Sequence, residues 1–241
     1  MFATLVYHII NRAISDKNAI SEEAFEAQLR YMHDEGYTIL PLTEAIEILD
    51  GKRQASPRSV LLTFDDGYVD NLYVAIPFLR NYGMTATLFV ISDYVGQSNR
   101  WNPKACYDVN HLNWDELSLW LQEGCDIGGH THTHLCMTRL NAQEMHDAVV
   151  FNKAVLEDNL SINIRAFAYP YGAYNPLAQE VVSKHYELAF AVDNGGIGVD
   201  ADRYTLHRLS ISPKWSVGDF AKRLEKLAAL HPSFEQELRK V

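Results

Sequence analysis

Three histidines crowd into five residues of the segment Gly128-Gly129-His130-Thr131-His132-Thr133-His134, in a chain of 241 residues that holds only ten. Neutral imidazole is a common ligand for transition metals, and a binding pair must converge on one point. His130 and His134 are four apart, so a helical turn would bring both rings to one side. On an extended strand His130, His132 and His134 would instead share a face. The paired glycines before them favour a loop or turn, where the first geometry forms more easily; a polar surface loop is the plain alternative. The second concentration is Thr63-Phe64-Asp65-Asp66-Gly67, two carboxylates followed by a turn-forming glycine. Neighbouring side chains on a strand point to opposite faces, but a strand end running into a turn can aim both at one pocket. Two close anions repel, and a bound cation relieves that cost; otherwise the motif is a solvated Asp-Asp-Gly turn. Asp66, His130 and His134 together make one carboxylate and two imidazoles, a set that leaves positions open for water and substrate. Such donors suit one divalent metal ion, zinc first, with cobalt, nickel or iron compatible, and imply no sulfur ligand.

These residues need rigid elements behind them, and the chain alternates apolar runs with helical patterns from end to end. A β-rich run over 3–9 carries His8 close to its end. Ser21 is placed to cap a helix with Phe25, Leu29 and Met32 on one face and Gly36 at its exit. A short helix over 43–50 stops at Gly51, and a buried-type strand over 59–64 runs into Asp65-Asp66-Gly67. The helix expected over 69–82 should kink at Pro77. A strand over 85–91, a helix over 114–123 and residues 125–129 lead to the histidines. Asn141 is placed to cap a long helix reaching Asn159, and a strand over 166–169 enters Pro170-Tyr171-Gly172. A helix near 176–185, strands over 188–192 and 206–211, a helix over 217–230 and a polar tail complete the pattern. Alternation without a break in composition predicts a single α/β domain over 1–241, parallel and barrel-like, with its core over about 3–230. In such barrels chemistry collects at the C-terminal ends of the strands. His8, Asp65, Asp66, His130 and Pro170-Tyr171 all fall there.

The composition, 47% hydrophobic and 22% charged, is that of an ordinary globular chain. Twenty-one basic against 31 acidic side chains leave a net charge of −10, which argues against binding a nucleic-acid backbone. A neutral substrate or a cationic product is compatible with it. No run of about 18 apolar residues is present, so no membrane span is expected. The N-terminus reads as a first strand and not as a signal peptide, which predicts a cytoplasmic location unless a leader precedes the segment. Cys106, Cys125 and Cys136 are odd in number and form no CxxC pair, as free thiols in a reducing compartment would. Nothing in the sequence sets an oligomeric state.

TFDDG at 63–67, HTHTH at 130–134 with its HxxxH spacing, and YPYG at 169–172 resemble, in that order, the polysaccharide deacetylase superfamily, carbohydrate esterase family 4. LVYH at 5–8 and Asn113-Trp114-Asp115 before the histidine cluster make the chain most similar to the poly-β-1,6-N-acetylglucosamine N-deacetylase subgroup. The resemblance covers about residues 3–212 and implies a distorted (β/α) barrel. It also implies a metal-dependent hydrolase that removes N-acetyl groups from poly- or oligosaccharide containing N-acetylglucosamine. By position, Asp66, His130 and His134 would be the metal ligands and Asp65 the general base. The Tyr171 backbone N–H would help stabilise the oxyanion, with Pro170 and Tyr171 lining the pocket. His8 would be the general acid for the leaving amine, as the N-terminal histidine is in this subgroup.

The chemistry is coherent on its own terms: amide hydrolysis needs a nucleophile, oxyanion stabilisation and a proton for a poor leaving group. A metal supplies the first two, and Asp65 and His8 can carry the protons. One departure stands out. Many family members carry an Arg two residues before the proline of the third motif, where this chain has Ala168. Arg208 is the candidate to pair with Asp65 in its stead, against a surface role; Arg165 is a more distant one. His207 rivals His8 as the acid, and His132 reads as a supporting or solvated residue. Trp101, Trp114, Tyr171 and Tyr174 could stack on a sugar ring, although Trp114 suits helix packing equally. Asp193, Asp200 and Asp202 read as part of a turn. The rival functions are a carbohydrate-binding barrel of weak activity and an N-deacylase of a small, non-polymeric amide.

Overall fold

Every residue of the first strand, β1 (Ala3–Tyr7), is buried, as expected of a strand covered on both faces. The computed structural model describes residues 2–56, 58–99, 109–192, 197 and 201–229. After His8 the backbone changes partner: β2 (Ile9–Ile10) leaves the main sheet and pairs with β3 (Ala19–Ile20) in a separate ribbon. The run expected as one strand over 3–9 is thus two, with His8 at the break. The Ser21 hydroxyl accepts the Ala24 N–H at 3.2 Å and starts α1 (Glu22–Asp34), which buries Phe25, Leu29 and Met32. β4 (Thr38–Ile39), α2 (Leu42–Leu49) and the wholly buried β5 (Ser59–Asp66) follow. The helix expected over 69–82 begins as a π-helical turn, Asn71–Ala75, and continues as α3 (Ile76–Asn81). Pro77 has no N–H and would clash with the carbonyl one turn back, and the wider turn ahead of it absorbs that conflict.

β6 (Thr87–Val90) leads to α4 (Trp114–Gln122), which opens on a reciprocal capping box between Asn113 and Glu116. β7 (Asp126–Gly129) precedes the histidines, and Asn141 with Glu144 forms a second capping box at the head of α5 (Ala142–Leu160). β8 (Ala166–Ala168), α6 (Pro176–Ser183), β9 (Leu188–Phe190), β10 (Leu209–Ser210) and α7 (Val217–Ala229) complete the described chain. The tail beyond it, with Trp101, Cys106, Asp193 and Asp200, lies outside the described residues. Cys125 and Cys136 are free, the first buried. No helix among the described residues is long and apolar enough to cross a membrane.

The main sheet runs in the order β10-β1-β5-β6-β7-β8-β9, with β4 also beside β5, and each of its pairings is parallel. Its two edges meet on one segment. Leu206 bridges Phe190 in parallel and exchanges hydrogen bonds with Ala189 and Ala191, while Leu209 and Ser210 pair with Leu5 and Val6. The strand expected over 206–211 is interrupted because the chain changes partner between these two contacts. The sheet curls in this way into a distorted (β/α) barrel. Alternate residues of β5 serve opposite faces. Leu62 and Phe64 join a core that includes α1, α3 and α7, whereas Leu61 joins Phe89, Phe190, Leu206 and the apolar face of α2.

Candidate active site

β5 delivers two carboxylates at its C-terminal end, and a backbone reversal decides where they point. Asp65 belongs, with Leu61 and Thr63, to the face shared with Phe89 and Phe190. Strand alternation would turn Asp66 away, but Asp66 has φ +75° and Gly67 φ +84°. That turn brings the second carboxylate round to meet the histidine loop. Asp66, Thr131, His134 and Tyr171 are four of the five described non-glycine residues with positive φ. Such conformations cost of order 1–3 kcal/mol each and persist where surrounding structure holds them.

The loop from His130 to His134 is neither a helical turn nor a strand. Thr131 and His134 adopt left-handed backbone, φ +62° and +57°, and this folds the two imidazoles together with ring centroids 4.9 Å apart. The glycines before them are strand residues, not loop residues. A Cβ at Gly128 would collide with the Phe89 ring, and one at Gly129 with Tyr186 and Asn152, so both are required by close packing. Buried Asn152, on α5, secures the loop: its Nδ2 reaches the carbonyls of Thr131 at 2.8 Å and Val90 at 3.1 Å. Nothing local in the sequence marks Asn152, since a mid-helix asparagine reads as solvent-facing.

One ligand atom from each of Asp66, His130 and His134 falls within 4.8 Å of the others, and all three residues are buried. Asp66 Oδ1 lies 3.5 Å from His130 Nε2 and 3.3 Å from His134 Nε2, and it makes no hydrogen bond among the described residues. His130 Nδ1 lies 2.7 Å from the Ala168 carbonyl. As that atom can only donate there, the neutral tautomer turns the Nε2 lone pair toward the carboxylate. Two imidazole Nε2 atoms converging on a buried carboxylate oxygen that has no hydrogen bond among the described residues fit a cation. Burial works against ionising Asp66, but His134 and His130 carry its pKa well below the carboxylate range. Burial also disfavours the charged form of His134, pushed down to about 3. His130 is opposed by burial too, yet Asp65 and Asp66 raise its pKa.

Asp65 is held differently. Arg208, with no exposed surface, donates from both terminal nitrogens to the two Asp65 oxygens at 2.7 and 2.8 Å. Its Nε donates to the Ala191 carbonyl at 3.0 Å, and its guanidinium lies over Phe89 and Phe190. Burial resists the Asp65 charge most, but Arg208 and then His130 bring its pKa below normal. Arg165 takes no part: its ion pair is with Glu187. His8 Nε2 lies 4.0 Å from Asp65 Oδ2.

A cavity of about 170 Å3 opens onto His8, Asp65, Asp66, His130, His134 and Tyr171. Lys17 and Asn18, from the loop before β3, also line it, and neither belongs to a motif that would mark it in the sequence. The exposed Tyr171 packs its ring against His134 at 4.7 Å. Three further candidates, Pro170, Tyr174 and Trp114, are not among the described residues that line this cavity. Pro170 is buried at the start of the turn, Tyr174 packs against Tyr169, and Trp114 packs half-buried on the main core. His207 does not line the cavity. His132 turns away to Ser92 and Asp93 and meets the Phe151 ring, in a supporting position.

A family model described as polysaccharide deacetylase matches residues 52–187, more than half the chain.

The chain belongs to the polysaccharide deacetylase family.

It is 30% identical over 224 residues to YxkH of Bacillus subtilis strain 168, which carries a provisional polysaccharide deacetylase designation; the match covers 92% of this chain and 76% of that one. It is 26% identical to the poly-β-1,6-N-acetyl-D-glucosamine N-deacetylase of Staphylococcus epidermidis, over 80% of this chain and 68% of that one. Among solved structures it is similar to the deacetylase PplD of Streptococcus pyogenes, determined with acetate. There the TM-score is 0.79 at 26% identity, covering 92% and 97% of the two chains. IcaB from Ammonifex degensii has a TM-score of 0.79 at 25% identity, covering 93% and 97%.

Proposed function

We propose that this family member is a metal-dependent hydrolase that removes N-acetyl groups from poly- or oligosaccharide containing N-acetylglucosamine. The observation that carries the reading is the division of labour between two adjacent buried carboxylates. Asp65 has its charge balanced by Arg208, while Asp66 Oδ1 faces two imidazole nitrogens and forms no ion pair with a Lys or Arg among the described residues. Like charges this close need separate compensation, and the arrangement reserves the second for a metal ion, with zinc first among the candidates. Asp66, His130 and His134 would hold it, and a divalent ion there acidifies water and polarises the acetamido carbonyl.

The chain's own residues do the rest. Arg208 keeps Asp65 ionised and fixes its plane, leaving lone pairs outside the guanidinium fork to take a proton from the attacking water. Tyr171 lines the cavity, and its backbone N–H would serve as a donor to the developing oxyanion. His8, which lines the cavity with its Nε2 4.0 Å from Asp65 Oδ2, delivers a proton to the amine nitrogen as the C–N bond breaks. The half-enclosed cavity limits competing water. The staphylococcal relative makes β-1,6-linked N-acetylglucosamine polymer the first substrate to try.

Acetate release from chitooligosaccharides and from β-1,6-linked N-acetylglucosamine oligomers, measured with metal content, tests the reading. Binding of either oligomer to metal-loaded protein without acetate release would favour the carbohydrate-binding barrel instead. His8→Ala should lower kcat at unchanged metal content and His207→Ala should not; the reverse result transfers the acid role to His207.

A further inference from the structure

Asp70 and Asn71 lie beyond the residues that hold the metal and move protons, in the turn that follows the Asp-Asp-Gly motif. Both are buried, Asn71 completely. Asp70 Oδ2 accepts the Ile10 N–H at 3.1 Å, and its Oδ1 accepts from Asn71 Nδ2 at 3.1 Å. The same Asn71 amide donates to the His8 carbonyl at 2.7 Å. These bonds fall where the backbone is between ladders. β1 ends at Tyr7 on β5, β2 begins at Ile9 on β3, and His8 stands in the gap. A residue there has no sheet to fix its orientation, so side chains must do it. Asp70 is a costly residue to bury in this role. Desolvation pushes its carboxyl up to about 7, backbone N–H groups led by that of Ile10 oppose it, and Glu22 on α1 adds further repulsion. A buried carboxylate without a cationic partner is retained where its acceptor geometry matters. The π-helical turn beginning at Asn71 is the kind of backbone feature that gathers at functional sites.

We propose that Asp70 and Asn71 are positioning residues for His8: by holding its carbonyl and the Ile10 N–H they set the imidazole on the proton path beside Asp65. The proposal rests on the reading of His8 as general acid. An acid misplaced by about 1 Å forfeits most of its effect, which on other enzymes reaches ~10².

The test uses two substrates that differ in their need for a proton. An N-acetylglucosamine oligomer expels an amine that must be protonated, whereas 4-nitrophenyl acetate expels a phenolate that need not be. Zinc-loaded wild type, His8→Ala, Asp70→Asn, Asn71→Ala and the double variant Asp70→Asn/His8→Ala are assayed on both, with metal content measured. Asp70→Asn and Asn71→Ala should each lose at least ~10-fold more kcat on the oligomer than on the ester, as His8→Ala does. In the His8→Ala background, Asp70→Asn should cost nothing further on the oligomer, because its effect passes through the missing ring. Equal losses on both substrates, or full additivity with His8→Ala, would overturn the proposal and leave Asp70 and Asn71 as scaffold. If His8→Ala alone shows no selective loss on the oligomer, the acid assignment itself fails and the proposal with it. Asn71→Ala answers the question should Asp70→Asn fail to fold.

Discussion

Arg208 and Arg165 each grip a carboxylate through two nitrogens at nearly the same distances, at opposite ends of the strands, Arg208 with both terminal nitrogens and Arg165 with its Nε and one terminal nitrogen. Arg208 meets Asp65 at 2.7 and 2.8 Å, and Arg165 meets Glu187 at 2.7 and 2.9 Å. The first pair is buried at the C-terminal mouth beside the metal-type cluster. The second flanks the starts of β8 and β9, with 31% and 42% of the two side chains exposed. Bond lengths therefore say little about consequence. Water solvates either Arg165 or Glu187 when its partner is lost, whereas loss of Arg208 strands a buried anion next to Asp66.

The largest effect should come from breaking the buried pair. Arg208→Ala is expected to destabilise the fold by about 3–5 kcal/mol, the scale for an uncompensated buried charge. Denaturant unfolding measures it, and a loss below about 1 kcal/mol would mean that Asp65 is not held as described. Asp65→Asn should be less damaging to the fold but should reduce kcat by at least ~10², the usual scale for a general base, while keeping the metal. Near-normal turnover in the metal-loaded variant rules out Asp65 as base. Arg165→Ala should cost no more than about 1 kcal/mol. The Glu187 carboxyl is held below its ordinary pKa chiefly by its hydrogen bond from Arg165. A lowered carboxylate pKa contributes stability above its unfolded value, about pH 4.3, that is lost as pH falls through the folded value. The small stability gap between wild type and Arg165→Ala should accordingly close in acid; a gap that persists there points to lost side-chain packing.

Much of the local structure is legible because its causes are local. Ser21 and Asn141 stand at helix starts with bonds to the N–H groups that a cap must satisfy. The strand–helix alternation that predicts a barrel reflects burial on both faces of a parallel sheet. The failures have a common origin too. The glycine pair reads as loop, but Phe89 and Tyr186, brought in from other elements, are what exclude a side chain at those positions. Asp70 and Asn71 fall within the helix expected over 69–82 with no role assigned to them, and only the His8–Ile10 backbone packed against them gives them one.

For the site itself the division is similar. Residue type and order alone nominate Asp66, His130 and His134, because carboxylate and imidazole carry the same donor chemistry in any fold. Their convergence depends on left-handed backbone at Asp66, Thr131 and His134, which no periodicity foretells and which surrounding contacts such as those of Asn152 maintain. The pairing of Arg208 with Asp65 spans 143 residues of sequence. It exists because the 206–210 segment joins both edges of the sheet and leaves Arg208 between them, facing inward. Chemistry is a property of the side chains, but burial and charge compensation belong to the closed barrel, since only the closed barrel removes water from both partners.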